Sequence, residues 1–335
     1  MKKKIQKTGF LMAALLFLVG CGGGKGRLDI KVDDIPPANV TFHRYDADLF
    51  KVDRNHLQAG LEALKPAYRF FLDADLSDTV RLREMQSYLE NPRNQGFQRA
   101  VDSLYGNTQP LEKELLLAIR HFIHYFPGAR IPRVYTYISG GDYDAPVQMA
   151  DSVLLIGLDN YLGEEFKAYA ADGLPEYRIA RMTRQHIVRD CMEEMYRISF
   201  PSRIPGNTLL DYMVEAGKKY LFLDAMMPAA ADRLKIGYTP AQYDWIVKNE
   251  SHVWAAIISN RMLYTTDGNL IRTFLADGPF TAEFSQDSPP RLGEWIGWQI
   301  VKQYYENQRS LTLPDVMAEK DSQKILTRSG YKPEK

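Results

Sequence analysis

Apolar positions in this chain recur mostly at helical spacing. Between Asn55 and Phe126 they return every three or four residues, and Leu57, Leu61, Leu64 and Tyr68 form one stripe. Asp78 is placed to cap a helix through Leu89. Asn91-Pro92 stops that helix and opens another through Phe97, Val101 and Leu104, and Leu111 to Tyr125 makes the longest apolar helix of this half. The period then changes to two. Pro132 to Ser139 alternates, with Val134, Thr136 and Ile138 on one face and Tyr135 and Tyr137 on the other. After a turn at Gly140-Gly141-Asp142, Ser152 to Asp159 is nearly all apolar, as expected of a strand covered on both faces.

Helical spacing resumes in the second half. A short helix over Tyr161 to Phe166 leads to a long one from Leu174 to Ile198, which turns Ala180, Ile187, Cys191, Met195 and Ile198 inward, with Arg184 in the same stripe. Asn207 or Thr208 caps a helix from Leu209 to Leu223 that buries Leu209, Met213, Ala216 and Tyr220. Thr239-Pro240 opens a helix to Met262, and Asp267 to Leu275 forms a shorter one. Leu292 to Tyr305 is apolar almost all round and reads as a central buried helix, in which Gly293 and Gly297 allow another element close approach. Thr312 and Asp315 start a last helical region, which ends near Arg328 to Pro333. The pattern gives an α+β fold, mostly helical, with a small β-sheet packed on helices. With no repeat and no second linker, residues 39–335 read as a single globular domain.

The N-terminus sets the location. Residues 1–20 have a basic start and an apolar run of about ten residues, too short for a membrane span, ending Leu18-Val19-Gly20-Cys21. This is a lipoprotein signal peptide with a lipobox. Cys21 is the expected lipidation site, and each buried methylene of its acyl chains contributes roughly 0.8 kcal/mol of anchoring. Residues 21–38 read as a lipid-anchored tether, flexible at its glycines, with Leu28 to Val40 a linker or edge strand around Pro36-Pro37. The membrane is therefore one expected partner, through the N-terminal lipid anchor. No Asp follows Cys21 directly, which by likeness to bacterial lipoprotein sorting favours the outer membrane, facing the periplasm.

Charge narrows the partners. The chain has 42 basic and 42 acidic residues, so no polyanion is suggested, and it has neither a basic run nor a phosphate loop that would point to nucleic acid. After lipidation Cys191 is the one remaining cysteine; it cannot form an intramolecular disulfide and reads as a small buried hydrophobe.

Candidate chemistry is sparse. Val40 to Phe50 reads as the start of a strand and then a turn; His43, Asp46 and Asp48 there are metal-ligating types, but nothing fixes them on one face and they read as an exposed turn. His121 and His124 have the spacing of a metal-chelating pair, but at a helix end where histidine also suits the dipole. His186 and Asp190 are four apart on the long helix and face each other, as a general base and its carboxylate would, or as any surface pair does. Glu215, with Asp211 and Lys219 four residues to either side, reads as a solvated face.

Several of these segments resemble a known family. The lipobox, Leu155-Ile-Gly-Leu-Asp-Asn-Tyr-Leu-Gly163, Gln185-His-Ile-Val-Arg-Asp190, Arg291-Leu-Gly-Glu-Trp-Ile-Gly-Trp-Gln-Ile-Val301 and Ile325-Leu-Thr-Arg-Ser-Gly-Tyr-Lys-Pro333 look like the gliding-motility lipoprotein family GldB of Bacteroidetes. That family is associated with gliding and the linked type IX secretion route, and it resembles predicted zinc proteases that keep His-Glu-x-x-His. The resemblance implies a zincin-like, degenerate metallopeptidase core. If His186 stands for the second His, Met182 stands for the first and Thr183 for the Glu, with Glu215 in the place of a third ligand. The expectation is then no metal, no cofactor and no catalytic residue, and a candidate groove at Arg184, His186, Asp190 and Glu215. The protein would act by binding envelope proteins (motility or type IX secretion components) or peptides. The alternative is an enzyme with a non-standard site built from His121, His124, His186 or neighbouring carboxylates. A third reading, glycan binding, calls for several coplanar aromatic rings exposed in a groove.

Overall fold

The computed structural model describes residues 26–35, 41–150, 152–201, 204 and 206–333. The signal segment, Cys21 and Pro36-Pro37 lie outside the described residues. The chain enters at Gly26. Leu28 and Val32 are buried, and Arg27 donates to the carbonyl oxygens of Tyr305 and Leu311, so part of the expected tether packs on the domain.

A four-stranded sheet divides the molecule. Its strands are β1 (Phe42–Arg44), β2 (Arg133–Tyr137), β3 (Val147–Ala150) and β4 (Val153–Gly157), in the order β1-β2-β4-β3. β1, β2 and β4 run parallel, while β3 lies antiparallel on the edge, with Val147 opposite Ile156. Side chains alternate between two cores: Val134, Leu154 and Ile156 face the main helical core, while Tyr135 and Val153 face a smaller one.

The smaller core is closed by α1 (Tyr45–Phe50), α2 (Leu57–Leu64), α3 (Arg69–Leu72) and α4 (Thr79–Glu90). Asp78 caps α4 as its sequence predicts, accepting from the Val80 N–H at 2.9 Å. Asn91 caps α5 (Pro92–Tyr105), which is followed by α6 (Gln109–Tyr125). Leu104 faces outward at 48% exposure, and Tyr105 takes the core position instead. The strand expected to start after Val40 is β1, but the exposed turn expected after it is the helix α1: His43 stacks on Tyr135, Asp46 is buried against Arg44 and Thr136, and Asp48 accepts from the Tyr68 hydroxyl.

The long helix expected over Leu174 to Ile198 is broken. After α7 (Lys167–Ala171) come α8 (Glu176–Ile179) and, only from Ile187, α9 (Ile187–Ser199). Thr183 between them is extended (φ −124°, ψ 155°), and the Met182 carbonyl accepts from Gly163 rather than from a helical neighbour. Within α9, Ile187, Cys191 and Met195 face inward as their spacing predicts, but Ile198 near its end is turned out, 42% exposed. The short helix expected over Tyr161 to Phe166 is absent; a single 3-10 turn at Leu158–Asn160 precedes it.

The rest of the main core is α10 (Leu209–Met226), α11 (Asp232–Ile236), α12 (Pro240–Ser259), α13 (Gly268–Leu275), α14 (Leu292–Asn307), α15 (Leu313–Ala318) and α16 (Ser322–Ser329). Reciprocal Thr caps open three of them: Thr208 with Asp211, Thr239 with Gln242, Thr312 with Asp315. α14 is enclosed, as its all-round apolar pattern predicts, with Ile296, Trp298, Ile300 and Val301 fully buried. It crosses α10 at two glycines. A Cβ on Gly297 would lie 1.8 Å from the Met213 carbonyl oxygen, and one on Gly217 would lie 2.2 Å from the Gly297 oxygen.

Because both obstacles are backbone atoms, neither can move aside. Gly297→Ala should cost about 3 kcal/mol or more, at or beyond the upper end for overpacking. Urea unfolding of the soluble chain measures this. A loss below about 1 kcal/mol would mean that the helices separate easily and are not held in backbone contact.

Candidate functional site

The four candidate groove residues do not converge. Arg184, in the turn before α9, pairs with Glu114 of α6 at 2.8 Å and is partly exposed. The His186 ring meets the Thr183 hydroxyl at 2.9 Å. Asp190 accepts instead from the Tyr161 hydroxyl and from Arg189, both at 2.7 Å. Burial pulls the His186 imidazole down to about 4, against the weaker opposing pull of Asp190, so the ring is neutral at pH 7. Glu215 lies 3.6 Å from the buried Lys218. The solvated Asp–Glu–Lys face is thus not formed: Asp211 caps α10, and Lys219 reaches a different set of acids.

The register that put Met182, Thr183 and His186 at a zinc motif also fails. Met182 and Thr183 precede the helix, so the i, i+4 spacing does not set them on one helical face. His121 is buried while His124 is exposed, which separates that pair. Cys191 is buried, and burial raises its thiol well above the usual range.

A groove does exist, one turn further along α9. A cavity of about 550 Å³ lies at the carboxyl end of β4, between edge strand β3 and α9. The α9 positions that line it are Arg189, Asp190, Glu193, Glu194 and Arg197. Tyr143, Tyr161 and Tyr177 contribute rings. Asp190 is the one of the four expected residues that lines this groove.

Behind the groove wall is a lattice of compensating charges drawn from several elements. Arg189 pairs with Asp190 and Glu193 and donates to the Lys235 carbonyl at 2.9 Å. Lys219 of α10 lies 2.9 Å from Glu193 and 3.7 Å from Glu294 of α14. The Tyr220 hydroxyl donates to Glu294 at 2.5 Å. Arg291 stands 3.8 Å from Glu294 and 3.4 Å from Asp277, which also pairs with Arg181. The Arg291 backbone is left-handed (φ 57°), an uncommon state for a residue with a side chain, and it aims a buried guanidinium at the Ile236 carbonyl.

These neighbours decide the charge states. Burial alone would raise the Glu193 carboxyl, but Arg189 and Lys219 overrule it and hold it far below the carboxylate range. Burial alone would lower Lys219 and Arg189, and the carboxylates push both up instead. Sequence reasoning missed Arg189 and Glu193 and set Lys219 on a solvated face. Their i, i+4 spacing on α9 is visible, but Lys219 joins them only through the rotation of α10, which no local pattern encodes.

The donor set does not suit a metal. Arginine and lysine cannot ligate, and the acids beside them are committed to those cations. No group of three or more His, Cys, Asp or Glu among the described residues is placed to hold a metal ion. A second cavity, about 560 Å³ and mainly apolar, lies under α2–α4 against Tyr45, Phe71, Tyr88 and Tyr137. Tyr143 and Tyr169 meet at 87°, so this pair beside the groove offers no flat stacking platform.

Glu193 is the group to test by pH. Its carboxyl is depressed on folding, so the stability it contributes is present above its unfolded value of about 4.3 and is lost as pH falls through the folded value. Glu193 keeps 31% of its side-chain surface, which discounts the cost of losing it. Glu193→Gln should cost about 1–3 kcal/mol at pH 7. Between about pH 5 and pH 3 the wild type should lose stability more steeply than the variant, measured by urea unfolding. Equal acid slopes would contradict the pairing.

A family model described as gliding motility protein GldB matches residues 25–333. No curated protein matches the chain, and no solved structure does. No helix among the described residues is long and apolar enough to cross a membrane.

Proposed function

Since the chain belongs to the GldB family of gliding-motility lipoproteins, we propose that it is a non-catalytic binding protein of the cell envelope. It is held through acylated Cys21 at the outer membrane facing the periplasm, and it engages a motility or type IX secretion component through the groove between β3 and α9.

The observation that carries this reading is the chemistry of the three converging positions. In a zinc-peptidase-like arrangement, an edge strand lies beside a helix bearing His-Glu-x-x-His, and a later helix adds a third ligand. Set on the groove face of α9, that motif would fall on Arg189, Asp190 and Glu193, with Lys219 of α10 in the third place. A catalytic zinc takes three protein ligands and leaves a position open for water. Here two of the three positions are cations, and the intervening carboxylate neutralises both. Internal salt bridges hold the helices where a metal would have held them. The groove stays open to a ligand, while the cations at two of the three positions leave no donor set for a catalytic zinc.

Metal analysis of the purified soluble chain should find no stoichiometric zinc. The combined variant R189H, D190E, E193H and K219E should gain one zinc per chain, provided its circular dichroism matches the wild type. Stoichiometric zinc in the wild type would sink the non-catalytic reading. A folded variant that takes up no zinc would sink the comparison with a peptidase helix. For the binding role, a photocrosslinking amino acid at Tyr177, on the groove rim, should capture an envelope protein in the cells that make the full lipidated chain. Capture at an exposed position far from the groove, such as Val247, with none at Tyr177 would move the binding site elsewhere.

A further inference from the structure

The groove offers backbone groups and a carboxamide rather than an ionic anchor. Among its lining residues the charges balance, with Arg178, Arg181, Arg189 and Arg197 against Asp190, Glu193, Glu194 and Asp277. Each arginine already has an acidic partner in the chain. A ligand selected for net charge would find no uncommitted partner among these side chains.

The sheet edge is different. In an antiparallel pair, alternate residues bond to the neighbour and the residues between them point away. Gly157 donates to the Pro146 carbonyl at 2.9 Å, so Pro146 and Gln148 face β4, while Val147 and Met149 face outward. The Met149 N–H is taken by Glu194 of α9 at 2.8 Å. The N–H and C=O of Val147, on the groove wall, have no partner among the described residues.

A second, independent group points the same way. Asn160 is 2% exposed and lines the same groove. One of its amide hydrogens goes to the Ser139 hydroxyl at 3.2 Å, and its Oδ1 has no hydrogen-bond partner. A buried, unpaired amide oxygen costs about 1–3 kcal/mol, and native proteins rarely leave one without a reason. A carboxamide offers an acceptor and a spare donor side by side, as a strand residue does.

We propose that the groove receives an extended polypeptide segment, which adds to the sheet edge at Val147 and is held by the Asn160 carboxamide. This rests on the reading of the groove as the protein's binding site and names its occupant. Strand addition takes affinity from main-chain hydrogen bonds and specificity from alternate side chains. Glu194 closes the edge at Met149, so the added strand is short and lies toward the Pro146 end. Tyr143 and Tyr177 are placed to contact its side chains.

The test uses a phage-displayed library of random peptides panned against the soluble chain. A selected peptide is then synthesised and its affinity measured by fluorescence polarisation. Methylating the peptide's backbone nitrogens one at a time should weaken binding tenfold or more at alternate residues and little at those between. Asn160→Asp, which keeps the shape of the side chain but replaces the amide donor with a charge, should weaken binding to a similar degree. Val147→Pro removes the outward N–H without touching the ladder to β4, and should do the same. If Asn160→Asp lowers stability, the methylation series on the wild-type chain still decides. Absence of any selected binder, or a methylation series without alternation, overturns strand addition. The Tyr177 crosslink separates the two readings. Capture in cells without peptide binding leaves the groove as a binding site and removes the strand, whereas loss of both removes the groove.

Discussion

The contact on which the site depends is the crossing of α10 and α14 at Gly217 and Gly297. With no side chain at either position, the two backbones meet directly. That brings Lys219 and Tyr220, just beyond Gly217, against Glu294, one turn before Gly297. The Tyr220 ring stacks on Trp298 with centroids 5.0 Å apart, and the Trp298 indole donates to Asp224. A wider spacing would leave Glu294 without its partners and Lys219 with Glu193 alone. The glycines therefore do more than pack: they set the reach at which α10 can neutralise α9. The charge lattice behind the groove follows from a steric choice made two helices away.

Placing so many ions behind a groove wall is costly unless each is paired. The desolvation penalty for a lone buried ion is several kcal/mol, so removing one partner harms more than removing both. The chain meets this with near-complete compensation. Arg189 takes two carboxylates and a carbonyl, and Lys219 takes two carboxylates. Such a lattice adds little net stability over an apolar core of the same volume. Its effect is geometric, because only one rotation of α9 relative to α10 and α14 satisfies all the pairs. That fixed rotation is what a groove needs if it is to present the same wall each time.

Much of the scaffold is written locally. Asp78, Asn91-Pro92, Thr239-Pro240 and Thr312 with Asp315 start helices where their side chains cap free N–H groups, and each is readable over four residues. The buried character of α14 and the role of Gly297 are also legible, because an all-round apolar helix with spaced glycines has few other uses. Two features were hidden. β3 is four residues long, begins beside Pro146 and is held by β4 and by Glu194, so nothing in its own sequence marks it. The break before α9 was hidden because Ala180 to His186 keeps helical spacing, while Gly163, far along the chain, takes the Met182 carbonyl. That break takes Met182 and Thr183 off the helix, so a register that sets them on one helical face with His186 does not form.

The edge strand links scaffold and function. An exposed edge is a hazard, since unpaired N–H and C=O groups template pairing with other chains, and proteins blunt such edges with charge or cover. Here α9 covers the Met149 end, where a carboxylate takes the outward N–H, and the cover stops at Val147. Glu194 is itself fixed by Arg197, so the cap does not swing freely over the rest of the edge. A fold that needed only to silence β3 would have closed both positions. One end is sealed by a charged side chain; the other opens into a cavity lined by tyrosines, beside a buried amide with an unused oxygen. That asymmetry follows from where Glu194 sits on α9, opposite the Met149 N–H and not that of Val147. The reach of one carboxylate, set by the rotation of α9, thus decides how much of the edge is sealed and how much faces the cavity.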